Sequence, residues 1–318
     1  MSAAIAVVGE IVADAVLPPD GVIDGVAHLT VHPGGGPANT AVALARLGTT
    51  ARFAARLSGG ALGALCRAKL EASGVDLTTS VVVDQPATLA IARLDANGAA
   101  SYEFYTEGTA DWGWTDDTLA PVVDGPFPPL GPPVAVHTGT LALALQPSGS
   151  VIESLLGRAR DRMTVSVDPN LRTQLIPAIV YRQRIDVWAA LSDIIRLSED
   201  DLEQLWPSWT PEQAADHLHK LGVSLVVVSL GGAGAFASLR GDHVRVPIAP
   251  TTLVDTVGAG DSFHAGLLHH LAQLGVLGGR LETLTSQNLD QALRFASRVA
   301  AINCSRPGAD PPWRTELE

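Results

Sequence analysis

Residues 255–268 join a glycine-rich turn to an aspartate, a combination that can bind an anion and accept a proton. The segment reads DTVGAGDSFHAGLL, and an apolar helix pattern begins after Asp261. The backbone of Gly258, Ala259 and Gly260 can come close to a ligand, and the N–H groups of the following helical turn can bind a phosphate. Asp261 carries negative charge where a phosphate would sit, so it fits a proton acceptor better than a phosphate ligand. The alternative is an ordinary helix N-cap, where aspartate is also favoured.

A second glycine cluster occupies residues 34–36 and leads into another helix pattern. Gly35 and Gly36 would let a ligand approach the main chain, and Asn39 offers both a donor and an acceptor to hydroxyl groups. A flexible joint before a capped helix is the alternative. Asp14 follows the first strand near its carboxyl end, where open α/β sheets bind ligands, although a turn residue is also common there.

Two further segments follow predicted strands. Arg172, in the run DPNLR at 168–172, could hold a phosphate in a bidentate fork, or it could be a solvated loop arginine. The glycines at 231–234 look like a dinucleotide-binding fingerprint, but the hairpin-like stretch FASLRGDHVRVPI follows where that fingerprint requires a helix. The chain has no Gly-Lys dipeptide, which excludes a P-loop enzyme.

The histidines and cysteines form no metal-binding pattern. The histidines at 217–219 and 269–270 lack metal-ligand spacing and are predicted to be surface or packing residues, and His264 is predicted to lie on a helix surface. Cys66 and Cys304 have neither disulfide nor zinc spacing, so we expect two buried thiols.

The composition is that of a globular chain without a membrane segment. Of 318 residues 47% are hydrophobic, and no run approaches the roughly 18 uninterrupted apolar residues of a spanning helix. The formal net charge is −12, and a nucleic-acid partner is not expected because such a partner requires a basic face. The N-terminus MSAAIAVVGEIVAD lacks the basic region of a signal peptide, so we expect a cytoplasmic protein.

Continuous apolar runs alternate with helix patterns, which predicts a parallel sheet covered on both faces. The predicted strands are 5–9, 134–139, 164–169, 193–198 and 224–231. The predicted helices are 38–47, 60–73, 262–274 and 289–302, and a glycine follows each of the first three. The sequence therefore predicts one doubly wound α/β domain over residues 1–318.

Residues of about 12–34 and 87–110 do not fit that alternation. Their strand-like periodicity around turn signals, notably at 95–98, predicts a small antiparallel sheet that stands off the main one. Such a sheet could act as a lid over a site, or its edge could pair with a second subunit to give a homodimer. Residues 110–133, rich in tryptophan and proline, are predicted to form a surface loop.

Together the two glycine clusters resemble the two signatures of the ribokinase-like, or PfkB, family of sugar kinases. The first is GGGPANTAVALARLG at 34–48 and the second is DTVGAGDSFHAGLL. The resemblance covers nearly the whole chain, since segments 9–14, 197–205, 228–236 and 300–312 follow in the family's order. It implies a doubly wound α/β fold with a β lid. It also implies an enzyme that transfers the γ-phosphoryl group of ATP to a sugar hydroxyl.

The resemblance implies a role for each candidate residue. Asp261 would be the catalytic base, and the N–H groups of Gly258, Ala259 and Gly260 would form an anion hole. The residues at the substrate would be Asp14, Gly35, Gly36, Asn39 and Arg172. Those on the nucleotide side would be Ser198, Ser229, Gly231 and Gly234. A site for K⁺ would consist of Asp255, the carbonyl of Val257 and main chain near Asn303 and Gly308, while Mg²⁺ would accompany ATP.

Within the family the chain is most similar to fructokinases. The segments that carry this similarity are GEIVAD (9–14), DPNLR (168–172), the FY pair (104–105) and CSRPGADPP (304–312). The chain departs from the family at Thr106, at Pro312 and at the magnesium-linked NxxE motif, which here runs from Ser198 to Asp201. Fructose is the predicted acceptor. The acceptors 2-keto-3-deoxygluconate, ribose and a nucleoside stay open, as does a non-catalytic sugar- or nucleotide-binding regulator.

Overall fold

The computed structural model describes residues 3–94, 100–127 and 131–318, so the turn predicted at 95–98 lies outside the described residues. The strands, in chain order, are β1 (Ala4–Val8), β2 (Val12–Leu17), β3 (Val22–Ile23), β4 (Val26–Ala27), β5 (Thr30–Gly34), β6 (Thr50–Ala54), β7 (Arg56–Ser58), β8 (Val81–Val83), β9 (Leu89–Leu94), β10 (Ala100–Tyr105), β11 (Ala135–Gly139), β12 (Thr164–Asp168), β13 (Ile194–Ser198), β14 (Leu225–Ser229), β15 (Ala235–Leu239) and β16 (Asp242–Val246). The α-helices are α1 (Gly36–Arg46), α2 (Ala61–Ala72), α3 (Asp116–Leu119), α4 (Pro121–Asp124), α5 (Thr140–Ala144), α6 (Ser148–Ala159), α7 (Ala178–Leu191), α8 (Glu199–Leu205), α9 (Pro211–Lys220), α10 (Ala259–Gln273) and α11 (Ser286–Cys304).

An eight-stranded main sheet runs in the order β16-β15-β14-β13-β12-β11-β1-β6. The six neighbouring strands β14, β13, β12, β11, β1 and β6 are parallel. Strands β15 and β16 complete the other edge as an antiparallel hairpin. The five predicted strands all lie in the parallel part, and the predicted hairpin forms the edge. The doubly wound, mainly parallel α/β fold is confirmed.

Both faces of the main sheet are buried, which explains why its strands read as continuous apolar runs. In β1, Ala6 and Val8 join the core on one face, whereas Ile5 and Val7 join the core on the other. Helices α6 to α9 cover the first face, and α1, α10 and α11 cover the second. The carboxyl ends of the parallel strands therefore meet at one edge, between these two helical layers.

The ends of two predicted helices are confirmed by their glycines. Gly48 follows α1 with φ 91°, and Gly275 follows α10 with φ 68°. These left-handed angles favour glycine, so each helix ends where the sequence predicts. Helix α10 begins at Ala259, earlier than predicted, and its first turn therefore includes Asp261.

A separate small sheet has the order β10-β9-β2-β5 and contains both segments predicted to stand off the main sheet. The prediction of an antiparallel sheet is wrong for its central pair, because β2 and β9 run parallel. The outer pairs, β2 with β5 and β9 with β10, are antiparallel. Strands β2 and β9 both leave the main body in the same direction, and periodicity along a strand carries no information about its neighbour's direction.

The prediction of a surface loop at 110–133 is wrong for its first half. Trp112 and Trp114 are buried in the core beside α6, and the short helices α3 and α4 follow them. Asp111 is also buried, and its carboxylate accepts hydrogen bonds from the Ile11 N–H (3.0 Å) and the Thr88 hydroxyl (2.6 Å). The polar residues and prolines that follow the two tryptophans masked this packing in the sequence. Among the residues described, no helix has the length and apolar character needed to cross a membrane.

Candidate active site

The carboxylate of Asp261 lies against the segment that contains the glycine cluster at 34–36. Its Oδ2 accepts a hydrogen bond of 2.9 Å from Nδ2 of Asn39, near the start of α1. The residue that caps α10 is Gly258, with φ 73°, and no side chain caps this helix. The alternative of Asp261 as an ordinary helix N-cap is therefore wrong. The carboxylate points across the sheet edge toward the other signature segment.

Burial shifts the acidity of Asp261. Its carboxyl group is buried, and desolvation raises its pKa to about 6, although the Asn39 hydrogen bond acts in the opposite direction. Nearby Asp168 raises the pKa further, and Arg172 and Arg196 lower it. A carboxylate with such a pKa is a better proton acceptor than a solvated aspartate and is still mostly ionised at neutral pH.

The turn before α10 is closely packed. A Cβ added to Gly258 would lie 2.6 Å from the Cβ of Ala309, and one added to Gly260 would lie 2.7 Å from Nη1 of Arg196. The Ala259 N–H donates to the Thr256 carbonyl (3.1 Å), whereas the N–H groups of Gly258 and Gly260 have no acceptor among the described residues. Two of the three predicted donors are thus free for an anion.

Asp14 approaches the same site from the small sheet. It lies on β2, and its Oδ2 would be 1.8 Å from a Cβ added to Gly34 of the neighbouring β5. Burial raises the pKa of Asp14 to about 6, Arg172 and Lys69 lower it, and Asp261 raises it. Asp14 is therefore a partly buried carboxylate and Asp261 a buried one, and their charges repel each other.

The glycine cluster at 34–36 shapes the space between these carboxylates. Gly35 has φ 100°, and a Cβ there would lie 2.8 Å from the Glu10 carbonyl oxygen. A Cβ on Gly36 would lie 3.1 Å from Thr140 and 3.2 Å from Asn170. The groups that lie close to the main chain of Gly35 and Gly36 here are thus those of the protein's own neighbouring loops.

A narrow cleft lies beside Asp261 at the carboxyl edge of the sheet. Its lining residues are Gly36, Pro37, Thr40, His137, Gly139, Thr140, Asp168, Asn170 and Asp261. Sequence reasoning missed His137, Thr140 and Asn170 as site residues. His137 lies within β11, whereas Thr140 and Asn170 follow strands at the carboxyl edge. Thr140 and Asn170 have φ values of 50° and 41°, unusual for residues other than glycine. A larger open groove near Arg240 lies at the opposite end of β14, away from these groups.

A buried polar cluster lies beneath the cleft, and sequence reasoning missed it. Nε2 of His264 lies 2.6 Å from the Ser166 hydroxyl, and its ring centroid lies 4.5 Å from that of His137, with the two rings tilted by 47°. The prediction of His264 on a helix surface is wrong, because the side chain is 0% exposed. Helix α10 packs on the main sheet with α1 and α11 as neighbours, and His264 faces Ser166 of β12. Arg196 pairs with Asp168 in the same cluster at 3.0 Å.

Arg172 lies near both carboxylates but bonds to its own loop. Its Nη1 donates to the side-chain oxygen of Asn170 (2.5 Å) and to the main-chain oxygens of Asn170 and Leu171. Its charge lowers the pKa of both Asp14 and Asp261. The structure therefore places Arg172 within electrostatic range of the site, at the end of β12.

The predicted nucleotide-side residues lie at the carboxyl ends of β13 and β14. The Ser229 hydroxyl accepts a hydrogen bond from Nη2 of Arg196. Gly231 begins a short turn, and Gly234 closes it with φ 91°, where a Cβ would lie 2.1 Å from the Val246 carbonyl oxygen. The β15–β16 hairpin alone thus requires glycine at position 234.

Ser198 and Asp201 form a capping box at the start of α8. The Ser198 hydroxyl accepts from the Asp201 N–H, and Oδ2 of Asp201 accepts from the Ser198 N–H and hydroxyl. Oδ1 of Asp201 accepts from the Leu171 N–H at 2.8 Å. Both carboxylate oxygens therefore already bind the protein, and they tie α8 to the loop after β12.

The residues predicted for a monovalent cation lie together behind the turn. Asp255 accepts from the N–H groups of Val257 (3.0 Å) and Gly308 (2.7 Å), and the Val257 carbonyl accepts from Nδ2 of Asn303 (2.8 Å). Oδ1 of Asn303 is buried and has no hydrogen-bond partner among the described residues. An all-oxygen set with one unsatisfied buried oxygen fits a hard monovalent cation.

Solved structures share this fold. Fructokinase from Xylella fastidiosa with bound ATP superimposes with a TM-score of 0.84 over 97% of this chain and 94% of that chain, at 24% identity. Fructokinase from Vibrio cholerae O395 in its fructose-, ADP- and calcium-bound form gives 0.76 over 96% of this chain and 94% of that chain, at 25% identity. The fold is that of the ribokinase-like kinases.

Sequence comparison gives the family. The pattern of the pfkB family carbohydrate kinases matches residues 2–316. A fructokinase of Rhizobium leguminosarum bv. trifolii is 36% identical over 244 residues, which is 76% of this chain and 72% of the relative. A fructokinase of Klebsiella pneumoniae is 34% identical over 331 residues, which is 100% of this chain and 99% of the relative. This chain belongs to the pfkB family of carbohydrate kinases.

Proposed function

We propose that this protein is an ATP-dependent fructokinase that phosphorylates a primary hydroxyl of fructose. The observation that carries the proposal is the contact between Asn39 and Asp261, beside a helix start with free N–H groups. In this proposal the proton acceptor Asp261, the sugar-hydroxyl donor Asn39 and the anion site are next to one another. The choice of fructose is supported by the two relatives named fructokinase.

In the proposed reaction the acceptor oxygen forms a bond to the γ-phosphorus of ATP while the bond from that phosphorus to the leaving oxygen of ADP breaks. The hydroxyl becomes acidic only as its bond to phosphorus forms, so Asp261 chiefly orients the hydroxyl and accepts its proton late. The free N–H groups of Gly258 and Gly260 stabilise negative charge on the transferred group. Asp14 and Asn39 hold other hydroxyl groups of the sugar.

Two cations belong to the proposal. The oxygen set of Asp255, Val257 and Asn303 would hold K⁺, which would order the turn that carries the anion hole. Mg²⁺ would neutralise charge on the ATP phosphates. Among the described residues, no group of three or more His, Cys, Asp or Glu side chains could hold a metal ion, so Mg²⁺ in this proposal enters with ATP.

The acceptor can be tested by ADP release. The purified protein is incubated with ATP, Mg²⁺ and K⁺ and with fructose, glucose, ribose, 2-keto-3-deoxygluconate or a nucleoside, and ADP is measured by a coupled assay. Fructose should give the highest kcat/KM. A higher value with another sugar would reassign the acceptor, and release with none of them would overturn the kinase proposal in favour of a binding protein.

We also propose that the small sheet acts as a lid and pairs with a second copy of the chain. A separate two-stranded β3–β4 hairpin, which joins β2 to β5 of this sheet, exposes Val22, Ile23 and Val26, an apolar patch that association would remove from water. Sedimentation velocity should show a dimer, and Ile23→Lys should shift it toward monomer. Val82→Lys, at an exposed valine on β8, is the matched control. A wild-type monomer at micromolar concentration would overturn the pairing.

We infer a cytoplasmic setting for the enzyme. ATP, its proposed co-substrate, is a cytoplasmic metabolite, and Cys66 and Cys304 are both free thiols. Cys66 is buried as predicted, whereas Cys304 is only partly buried. Fractionation of the native host, with a cytoplasmic and a secreted marker, tests this inference.

A further inference from the structure

Arg196 is a buried cation that the reaction described above does not use. It lies on β13 between strands β12 and β14, and it is 5% exposed. Its Nη1 donates to Oδ2 of Asp168 at 3.0 Å, and its Nη2 donates to the Ser229 hydroxyl. A buried charge is stable only when paired and hydrogen-bonded, and these two contacts pair the charge. Nε of Arg196 and Oδ1 of Asp168 have no hydrogen-bond partner among the described residues.

The guanidinium also lies directly against the anion-hole turn. A Cβ added to Gly260 would lie 2.7 Å from Nη1, 2.9 Å from Nη2 and 3.1 Å from Cζ of Arg196. The backbone angles of Gly260 do not require glycine, since it does not have a positive φ. The glycine is therefore needed at this position to let the cation approach the first turn of α10.

The position of Arg196 joins the two sides of the site. Asp168 lines the cleft beside Asp261, whereas Ser229 ends β14 on the predicted nucleotide side. Burial alone would raise the pKa of Asp168, but the charge of Arg196 holds it well below its usual range. Arg196 is thus a permanently ionised group fixed beneath the point where acceptor and nucleotide would meet.

We propose that Arg196 is a positioning residue for phosphoryl transfer, which acts through Gly260 to hold the anion-hole backbone and to place a fixed positive charge beneath the terminal phosphoryl group. The proposal rests on the kinase function proposed above. Because the charge lies under the anion hole, it favours a nucleotide with a γ-phosphate over one without. A purely structural buried pair would make no such distinction.

The test compares Arg196→Met and Arg196→Lys with the wild type. Arg196→Met should lose at least about tenfold in kcat, because preorganised positive charge at a phosphoryl group acts mainly on the transition state. Its affinity for a non-hydrolysable ATP analogue, measured by calorimetry, should fall by a similar factor, while its affinity for ADP stays within about twofold of wild type. Arg196→Lys keeps the charge and should recover part of both losses.

The matched control is Arg52→Met. Arg52 is another buried arginine of the main sheet, on the edge strand β6, and it pairs with Asp76 at 3.2 Å. Its loss should lower the melting temperature but leave the ratio of ATP-analogue to ADP affinity unchanged. If Arg196→Met fails to fold, the double variant Asp168→Asn/Arg196→Met removes both charges together and takes its place.

The outcomes separate the two proposals. Equal losses of ATP-analogue and ADP affinity in Arg196→Met, or a kcat equal to that of Arg52→Met, would overturn the role of Arg196. A wild-type protein that phosphorylates no sugar would overturn the kinase function instead. In that case the binding ratio still tests Arg196, since it requires no turnover.

Discussion

Nδ2 of Asn39 donates to Oδ2 of Asp261 over 2.9 Å, although 222 positions separate the two residues in the chain. This bond joins the first turns of α1 and α10 and aims the carboxylate into the cleft. In the proposed mechanism Asp261 takes the acceptor proton, so the two glycine clusters act as one unit.

Asp261→Asn should therefore fold normally and lose at least about a hundredfold in kcat, the lower range for a general base. The amide is isosteric but cannot accept the proton. The measurements are steady-state ADP release and a thermal melt. Asp117→Asn, at an exposed position of α3, is the control and should retain wild-type turnover. Near-wild-type turnover in Asp261→Asn would remove Asp261 from the proposed role.

The acid limb of the pH–rate profile should report the ionisation of Asp261. Burial raises its pKa to about 6, so kcat/KM should fall as pH decreases through that value. The Asn39 hydrogen bond favours the ionised form, and Asn39→Ala should therefore move the limb of kcat/KM to higher pH. Asn288→Ala, at the start of α11, should leave it in place. A limb that moves to lower pH in Asn39→Ala would contradict the proposed role of this contact.

Replacing K⁺ by tetramethylammonium should lower kcat, because the organic cation is too large for the oxygens behind the turn. The dependence of kcat on K⁺ should be much weaker in Asn303→Leu, because this change removes the unsatisfied buried oxygen Oδ1 of Asn303. Rates are measured at constant ionic strength with saturating ATP and sugar. A wild-type enzyme indifferent to K⁺ would remove the cation site and leave the kinase proposal intact.

Glu10 should make the protein less stable as pH rises. It is buried, and desolvation raises its pKa from 4.5 to about 7 in the folded state, although hydrogen bonds from Thr140 and Ala142 oppose this. The folded state thus holds the proton more tightly, and stability present below pH 4.5 is lost as pH rises through 7, by at most ~3 kcal/mol for this shift.

Glu10→Gln should remove part of that loss. The melting temperature of Glu10→Gln minus that of the wild type should therefore increase from pH 5 to pH 8. Glu107→Gln, at an exposed position, should parallel the wild type at every pH. Differential scanning calorimetry across this range makes the comparison. A Glu10→Gln variant whose melting temperature follows the wild type throughout would contradict the raised pKa.

The sequence predicted the parallel sheet and both glycine clusters because those signals are local. Apolar runs buried on both faces identify a parallel strand, and closely spaced glycines identify turns where main chain approaches another group. The contact of Asn39 with Asp261 is not local, and only the resemblance to a family placed these residues together. The parallel pairing of β2 with β9 was missed because periodicity along one strand does not specify its neighbour.

The buried cluster was missed for a different reason. Arg196 interrupts the apolar run of β13, and a charge inside a strand buried on both faces was the available signal. His264 looked like a surface residue because one histidine in a helix pattern does not show that α10 is covered on both sides. Its burial follows from the packing of α10 on the sheet beside α1 and α11, which depends on the whole chain.

The opposition of Asp14 and Asp261 has a mechanical consequence. One carboxylate belongs to the small sheet and the other to the main body. The like charge of Asp261 raises the pKa of Asp14. With no sugar between them, their repulsion pushes the two bodies apart and favours an open entrance. A sugar that donates a hydroxyl hydrogen to each carboxylate turns that repulsion into a bridge. In the proposed lid motion, the acceptor itself then helps to close the entrance.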